Sequence, residues 1–176
     1  MHRVLSLEKG VAEYQSEFSN LRIEPPSRCM SCGCAKFHKW GKYKRYVVEE
    51  HCDYHIPVQR YRCVKCLKTY SYLPSFCLRG YSYSADLVMK LLCALLLKIG
   101  FVAREMKRQV YILLKRFIKL ESLFLVFLRS RGFGDFPIDK RERTVKIFTA
   151  LQKQYADKDF AANFLKETGR YFMSGK

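Results

Sequence analysis

Between about positions 36 and 76 the chain contains short aromatic and β-branched runs among basic and polar residues, and within residues 60–76 aliphatic residues occur only singly. Such short runs are typical of β-strands. The stretch KFHKWGKYKRYVVEE contains two aromatic and β-branched runs, and Gly41 between them predicts a turn. The stretch IPVQRYRC places Ile56 and Val58 on one face of a further strand. These patterns predict a small antiparallel sheet.

After LPSF and a turn around Gly80, the apolar spacing changes to that of helices. Ser84 is the predicted N-cap of a helix that runs to about Lys98 and stops before Gly100. A short helix is predicted over residues 102–108, and a long basic helix follows it. The inward face of the long helix carries four apolar residues at helical spacing: Leu113, Phe117, Leu120 and Phe124.

Both ends of the chain are predicted to be helical. A short amphipathic helix is expected near residues 7–18, and a Gly- and Pro-containing loop at 132–137 precedes predicted helices over 140–155 and 159–172. The core side of the first tail helix is predicted to be Phe148, Leu151 and Tyr155.

Charge adds a constraint on the partner. The chain has 33 Lys and Arg against 16 Asp and Glu, a net charge of +17, and the excess lies mainly in residues 25–83 and 84–131. Such a balance favours a polyanionic partner, either nucleic acid or an anionic membrane surface. The apolar stretch LVMKLLCALLLKIGFVA is interrupted by Lys90 and Lys98, so it falls short of the roughly 20 apolar residues of a membrane span. No signal peptide is evident, so a cytoplasmic, reducing setting is expected.

The cysteines predict a metal site. Cys29 and Cys32 form one C-x2-C pair and Cys63 and Cys66 form another. Two such turns can close a tetrahedral shell of four thiolates around a structural Zn²⁺ ion. Gly33 suits the tight turn of the first pair, whereas Leu67 occupies the same place after the second.

Other cysteine and histidine residues lie close to the two pairs in the sequence, so a different set of metal ligands is an alternative. Five such residues lie between the two pairs: Cys34, His38, His51, Cys52 and His55. His51, Cys52 and His55 lie in an extended run, where neighbouring side chains point to opposite faces. Exposed histidines and a half-buried thiol are therefore the preferred interpretation for these three residues.

Together these patterns predict an α+β fold in which a four-cysteine zinc ribbon, a small antiparallel β unit, is followed by an all-α domain of helix-turn-helix type. The predicted segments are an N-terminal helical segment (1–24), the zinc ribbon (25–80), a basic helical domain (81–131) and a C-terminal helical tail (132–176).

Basic residues interleaved with tyrosines suggest how nucleic acid would be bound. Lys42 and Lys44 share one strand face, and Arg60 and Arg62 share one as well, so cations can hold phosphates while rings stack on bases. A solvated cationic side with tyrosines in the core is the alternative. In the long helix, the candidate residues are Arg108, Lys115, Arg116 and Lys119.

The stretches CMSCG, FHKWGKYKRY, IPVQRYRCVKCLKTYSYLPSF and YSADLV resemble the zinc-ribbon region of bacterial insertion-sequence transposases and of small transposase-like zinc-ribbon proteins. The resemblance covers residues 29 to about 87. It implies that the four paired cysteines bind zinc and that Arg45, Arg60 and Arg62 belong to a DNA-facing hairpin. The stretch REMKRQVYILLKRF lacks the turn that such families show after the ribbon.

Function is therefore expected to be binding rather than catalysis. The acidic residues after the ribbon are scattered over predicted helices and loops, with no arrangement that would gather them at a two-metal site. The preferred hypothesis is a zinc-dependent, nucleoid-associated bacterial protein that binds double-stranded DNA, without a membrane partner. Alternatives are an RNA-binding or protein-assembly module and a subunit of a transposase or nuclease complex. Apolar stretches such as SLFLVFL leave room for a homo-oligomer.

Overall fold

A computed structural model describes residues 2–7, 10–100, 106–157 and 159–173. The fold is α+β, and the described residues form one four-stranded sheet and six α-helices. The strands are β1 (His2–Leu5), β2 (Phe37–Val48), β3 (Asp53–Cys63) and β4 (Thr69–Pro74). The helices are α1 (Val11–Glu17), α2 (Ala85–Leu96), α3 (Lys107–Lys119), α4 (Glu121–Ser130), α5 (Lys140–Tyr155) and α6 (Phe160–Thr168), and a 3-10 turn (Phe18–Asn20) follows α1.

The sheet has the strand order β1-β4-β3-β2. Strands β2, β3 and β4 are antiparallel neighbours, whereas β1 pairs in parallel with β4 from His2 opposite Ser71 to Leu5 opposite Pro74. The short helix predicted near residues 7–18 is present as α1, but the N-terminal segment also contains β1, a strand that was not predicted. The four residues of β1 are too few to show the alternation of apolar and polar side chains that identifies a strand in a sequence. Backbone pairing with β4 holds β1 in the sheet.

The predicted turn at Gly41 was also wrong. Strand β2 continues through Gly41, whose φ of +74° accompanies a register shift between Lys39 and Lys42. This is a β-bulge, in which glycine adopts a backbone conformation that other residues rarely enter. The chain reverses at residues 49–52, where the Glu49 N–H donates to the Cys52 carbonyl at 3.0 Å.

Helix α1 packs on this hairpin and completes a small core of its own. Val11 and Tyr14 are buried against Val47, Ile56 and Phe76. The Tyr14 hydroxyl also donates to the Pro57 carbonyl at 2.8 Å. The N-terminal segment therefore fixes the sheet from one side.

Helices α2 to α6 share a single core that extends from Leu78 to Met173. As predicted, the Ser84 side chain caps α2 by accepting from the Leu87 N–H at 3.1 Å. The bounds of α5 also agree with the prediction. The rings of several phenylalanines meet in this core: Phe117, Phe124, Phe127, Phe148, Phe160, Phe164 and Phe172. The residues predicted as a separate tail are thus part of the helical domain.

The long basic helix differs from its prediction in one respect. Leu113, Phe117, Leu120 and Phe124 are buried as expected, but Leu120 separates α3 from α4. Helix α6 ends at Thr168 because Gly169 takes the left-handed conformation at its C-terminus. The helix predicted over residues 102–108, and with it the turn of a helix-turn-helix motif, lies largely outside the described residues.

Candidate metal centre and basic surfaces

Two similar turns present the paired cysteines. The Gly33 N–H donates to the Cys29 carbonyl at 2.8 Å, and the Leu67 N–H donates to the Cys63 carbonyl at 3.1 Å. Gly33 and Leu67 both adopt left-handed backbone conformations, with φ of +71° and +58°. Leucine is strained there by roughly 1–2 kcal/mol, whereas glycine is not. The turn geometry thus repeats even where the sequence departs from glycine.

The turns bring four sulfur atoms together. The Sγ atoms of Cys29, Cys32, Cys63 and Cys66 all lie within 4.8 Å of one another. The first and last are 3.4 Å apart and the middle two are 3.6 Å apart, and all four are free thiols. A regular tetrahedron with metal–sulfur bonds of about 2.3 Å has sulfur–sulfur edges of about 3.8 Å. The cluster therefore fits one tetrahedral metal ion, and four thiolates accept zinc or iron.

Hydrogen bonds to the sulfurs favour ionised thiols at part of the cluster. The Tyr70 hydroxyl, 3.2 Å from the Cys29 sulfur, lowers the pKa of that thiol to about 5. The Cys66 backbone N–H likewise lowers the pKa of Cys63. At Cys32, a hydrogen bond from the Cys34 backbone lowers the pKa, but burial and the adjacent sulfurs outweigh it and raise the pKa to about 12. Because thiolates at this separation repel, all four can ionise together only around a cation.

Tyr70 is a supporting residue that the sequence analysis missed. Its side chain is fully buried, its ring contacts the Phe37 ring edge-on at 5.6 Å, and its hydroxyl accepts from the Met30 N–H at 2.9 Å. The hydroxyl therefore joins the first cysteine turn to strand β4. Its only sequence signal is an aromatic residue four positions after Cys66.

We expect Tyr70→Phe to weaken metal binding by about 10- to 100-fold, because outer groups that hydrogen-bond a metal ligand have effects of that size. A chelator-competition titration of the purified protein measures this affinity. Tyr72→Phe is the matched control, since it removes a hydroxyl from the same strand at a side chain that packs against Tyr61 and lies outside the cysteine cluster of the described residues. Equal affinities for the two variants would contradict the role of Tyr70.

The competing ligand candidates lie outside the cluster. Among the residues that the structure describes, the four cysteines are the one group of three or more His, Cys, Asp or Glu placed to share a metal. Cys52 is exposed and donates to the Tyr54 hydroxyl at 3.0 Å, and the His55 ring lies 5.1 Å from the Tyr46 ring. Cys34 accepts from the Lys36 N–H at 3.4 Å.

The predicted basic residues of the ribbon are divided between the two faces of the sheet. Lys42 and Lys44 are exposed and stand opposite Gln59 and Pro57 in the ladder. Arg45 lies on the other face and donates from Nη2 to the carbonyls of Leu78 and Tyr81, both at 2.7 Å. Arg45 thus ties the hairpin to the loop before α2.

Arg60 and Arg62 share a face with each other, and both are half-buried. The Arg60 guanidinium lies 5.5 Å from the centre of the Tyr43 ring, and the Arg62 guanidinium lies 4.3 Å from the centre of the Trp40 ring. The rings interleaved with cations in the sequence therefore contact those cations directly.

The candidate residues of the helical domain form a second basic surface. Arg108, Lys115 and Lys119 are exposed along α3, and the Lys115 ammonium lies 4.7 Å from the centre of the Tyr111 ring. Arg116 is half-buried and stacks over Tyr81 at 4.7 Å. The exposed stripe therefore contains three of the four predicted residues.

Comparison with protein-family models, curated proteins and solved structures finds no match for this chain. Within the described part of the chain, no helix combines the length and the apolar character needed to cross a membrane.

Proposed function

We propose that this protein binds double-stranded DNA through a zinc ribbon and an adjacent basic helix, and that zinc has a structural rather than a catalytic role. The observation that carries the proposal is the four-sulfur cluster at the base of a hairpin whose β2 strand presents exposed lysines. The resemblance of residues 29–87 to transposase ribbons agrees with this reading. A metal at the cluster would hold together a unit whose own apolar core is small.

The balance of charge supports a polyanionic partner. Within the described residues, no ion pair joins Lys42 or Lys44 to a carboxylate, whereas Lys90, Arg131 and Arg143 are each paired with a glutamate. Unpaired cations on a surface are available to phosphates, and their binding releases the counter-ions of the DNA. The net charge of +17 extends this attraction to the whole molecule.

The proposed interface differs from the full set of residues expected from the sequence. Arg45 is assigned to the fold, because two backbone carbonyls already occupy its Nη2. Lys42 and Lys44 on the ribbon, with Arg108, Lys115 and Lys119 on α3, are assigned to phosphates. Arg60 and Arg62 are assigned chiefly to holding aromatic rings, because both are half-buried against a ring, whereas Lys42 and Lys115 stay exposed although each also lies over a ring.

We expect Lys44→Ala to reduce the slope of log affinity against log salt by about 1, the change for one lost phosphate contact. The measurement is a fluorescence-anisotropy titration of a labelled duplex at several salt concentrations. Lys90→Ala is the matched control: it removes the same formal charge, but from a lysine that already pairs with Glu50 at 2.6 Å. Unchanged slopes for both variants would show that the ribbon is not part of the DNA interface. Absence of duplex binding by the wild-type protein would contradict the proposed function.

A further inference from the structure

Trp40 is the single tryptophan of the chain, and 46% of its surface is exposed although it lies within strand β2. It directly precedes Gly41 and falls inside the register shift between Lys39 and Lys42. Bulges bend a strand and redirect side chains. The bulge at Gly41, with its φ of +74°, therefore determines the direction of the exposed indole. In a regular strand, the alternation of side chains between the two faces of the sheet would determine it instead.

The indole is held in place from the neighbouring strand. The Arg62 guanidinium stacks 4.3 Å from the ring centre, and its Nε donates to the Leu67 carbonyl at 3.1 Å. Leu67 belongs to the second cysteine turn, so the position of the ring is linked to the metal cluster through one side chain. A ring that is braced in this way loses little conformational entropy when a ligand packs against it.

Cations lie on the elements that hold the indole. Lys39 precedes Trp40 in strand β2, Lys65 and Lys68 belong to the second cysteine turn that Arg62 contacts, and all three lysines are exposed. Among the described residues, none of these lysines forms an ion pair with a carboxylate. An exposed aromatic platform beside cations that can track a phosphate backbone is the combination that binds unpaired nucleotides.

From this arrangement we infer that Trp40 stacks on an unpaired nucleobase of the bound DNA, at a strand end or a single-stranded stretch adjoining the duplex. The inference rests on the proposed DNA binding and specifies which DNA the protein prefers, namely a duplex that carries an unpaired base. A paired base within a duplex offers no free face to the ring, because its neighbours in the stack cover both faces. The exposed indole is therefore suited to stacking on an unpaired base rather than to contacts in a groove of the duplex.

Three labelled probes separate the contribution of base stacking from that of the phosphate charge. They are a blunt duplex, the same duplex with a single-stranded overhang, and the same duplex with an overhang of abasic sugar-phosphates. We expect the base-containing overhang to bind more tightly than the abasic one by about 5- to 150-fold, the range for one stacked base. We also expect only the base-containing overhang to quench the fluorescence of the single tryptophan.

Trp40→Ala is expected to abolish this preference and to leave blunt-duplex affinity unchanged, whereas Trp40→Phe keeps part of the preference. Tyr111→Ala is the matched control, since Tyr111 is another exposed aromatic (56%) beneath a cation, and its loss should leave the overhang preference intact. Retained metal and an unchanged melting temperature in Trp40→Ala show that the variant is folded.

Equal affinity of the wild type for the two overhangs, or an undiminished preference in Trp40→Ala, would overturn the stacking role while leaving duplex binding intact. Failure of the proposed function is different, since the wild type then binds no blunt duplex. A preference of the same size for an RNA overhang over the matching DNA overhang would overturn the assignment to DNA.

Discussion

Replacing Cys63 by serine is expected to unfold strands β2, β3 and β4 while the helical core stays folded. Structural zinc contributes on the order of 10 kcal/mol or more to the folding of small four-ligand domains, and a three-thiolate cluster loses much of it. Cys63 is fully buried and belongs to the small cluster with Cys29 and Tyr70, which contains few other apolar groups. The core of α2 to α6 is separate and far larger.

Hydrogen exchange read by mass spectrometry distinguishes the two regions. Amides of residues 37–74 should lose protection in Cys63→Ser, and those of residues 107–155 should keep it. Cys52→Ser is the control, because Cys52 is an exposed thiol outside the cluster. Full protection of residues 37–74 in Cys63→Ser would show that the ribbon needs no fourth sulfur.

Affinity for duplex DNA is expected to fall by about 500-fold between about 50 and 200 mM monovalent salt if the five cations assigned to phosphates each contact one, and by about 1,000-fold or more if further cations take part. The cations assigned to phosphates lie on two surfaces, Lys42 and Lys44 on the ribbon and Arg108, Lys115 and Lys119 on α3. A duplex must contact both surfaces to engage all five cations.

Anisotropy titrations of two duplexes with unrelated sequences, each at several salt concentrations, measure the slope of log affinity against log salt. Comparison of the two duplexes shows how much of the binding is independent of sequence. A slope near zero would contradict phosphate contacts as the source of affinity. A steep slope for both duplexes would assign the cations to the backbone and leave sequence recognition to other side chains.

The metal cluster was the part of the site most accessible to prediction. The ligand spacing of two C-x2-C pairs is a local constraint, and the four sulfurs do come together. The capped start of α2 and the bounds of α5 were predictable for a similar reason, since caps and helical apolar spacing act within a few residues.

Features that depend on distant partners were not predictable. Strand β1 exists because β4 offers it a ladder 69 residues later, and Gly41 became a bulge because β3 pairs with both halves of β2. Arg45 was expected to face DNA, and the structure shows that its Nη2 donates to the carbonyls of residues 78 and 81. Such contacts form only in the folded chain, so the sequence alone does not distinguish a tethered arginine from a free one.

Native mass spectrometry of the protein purified under reducing conditions, with hydrogen exchange recorded on the same sample, determines whether a metal holds the ribbon together. We expect one zinc ion per chain, and loss of amide protection in residues 37–74 when a chelator removes the zinc. A metal-free chain whose β2 to β4 amides remain protected would contradict this expectation.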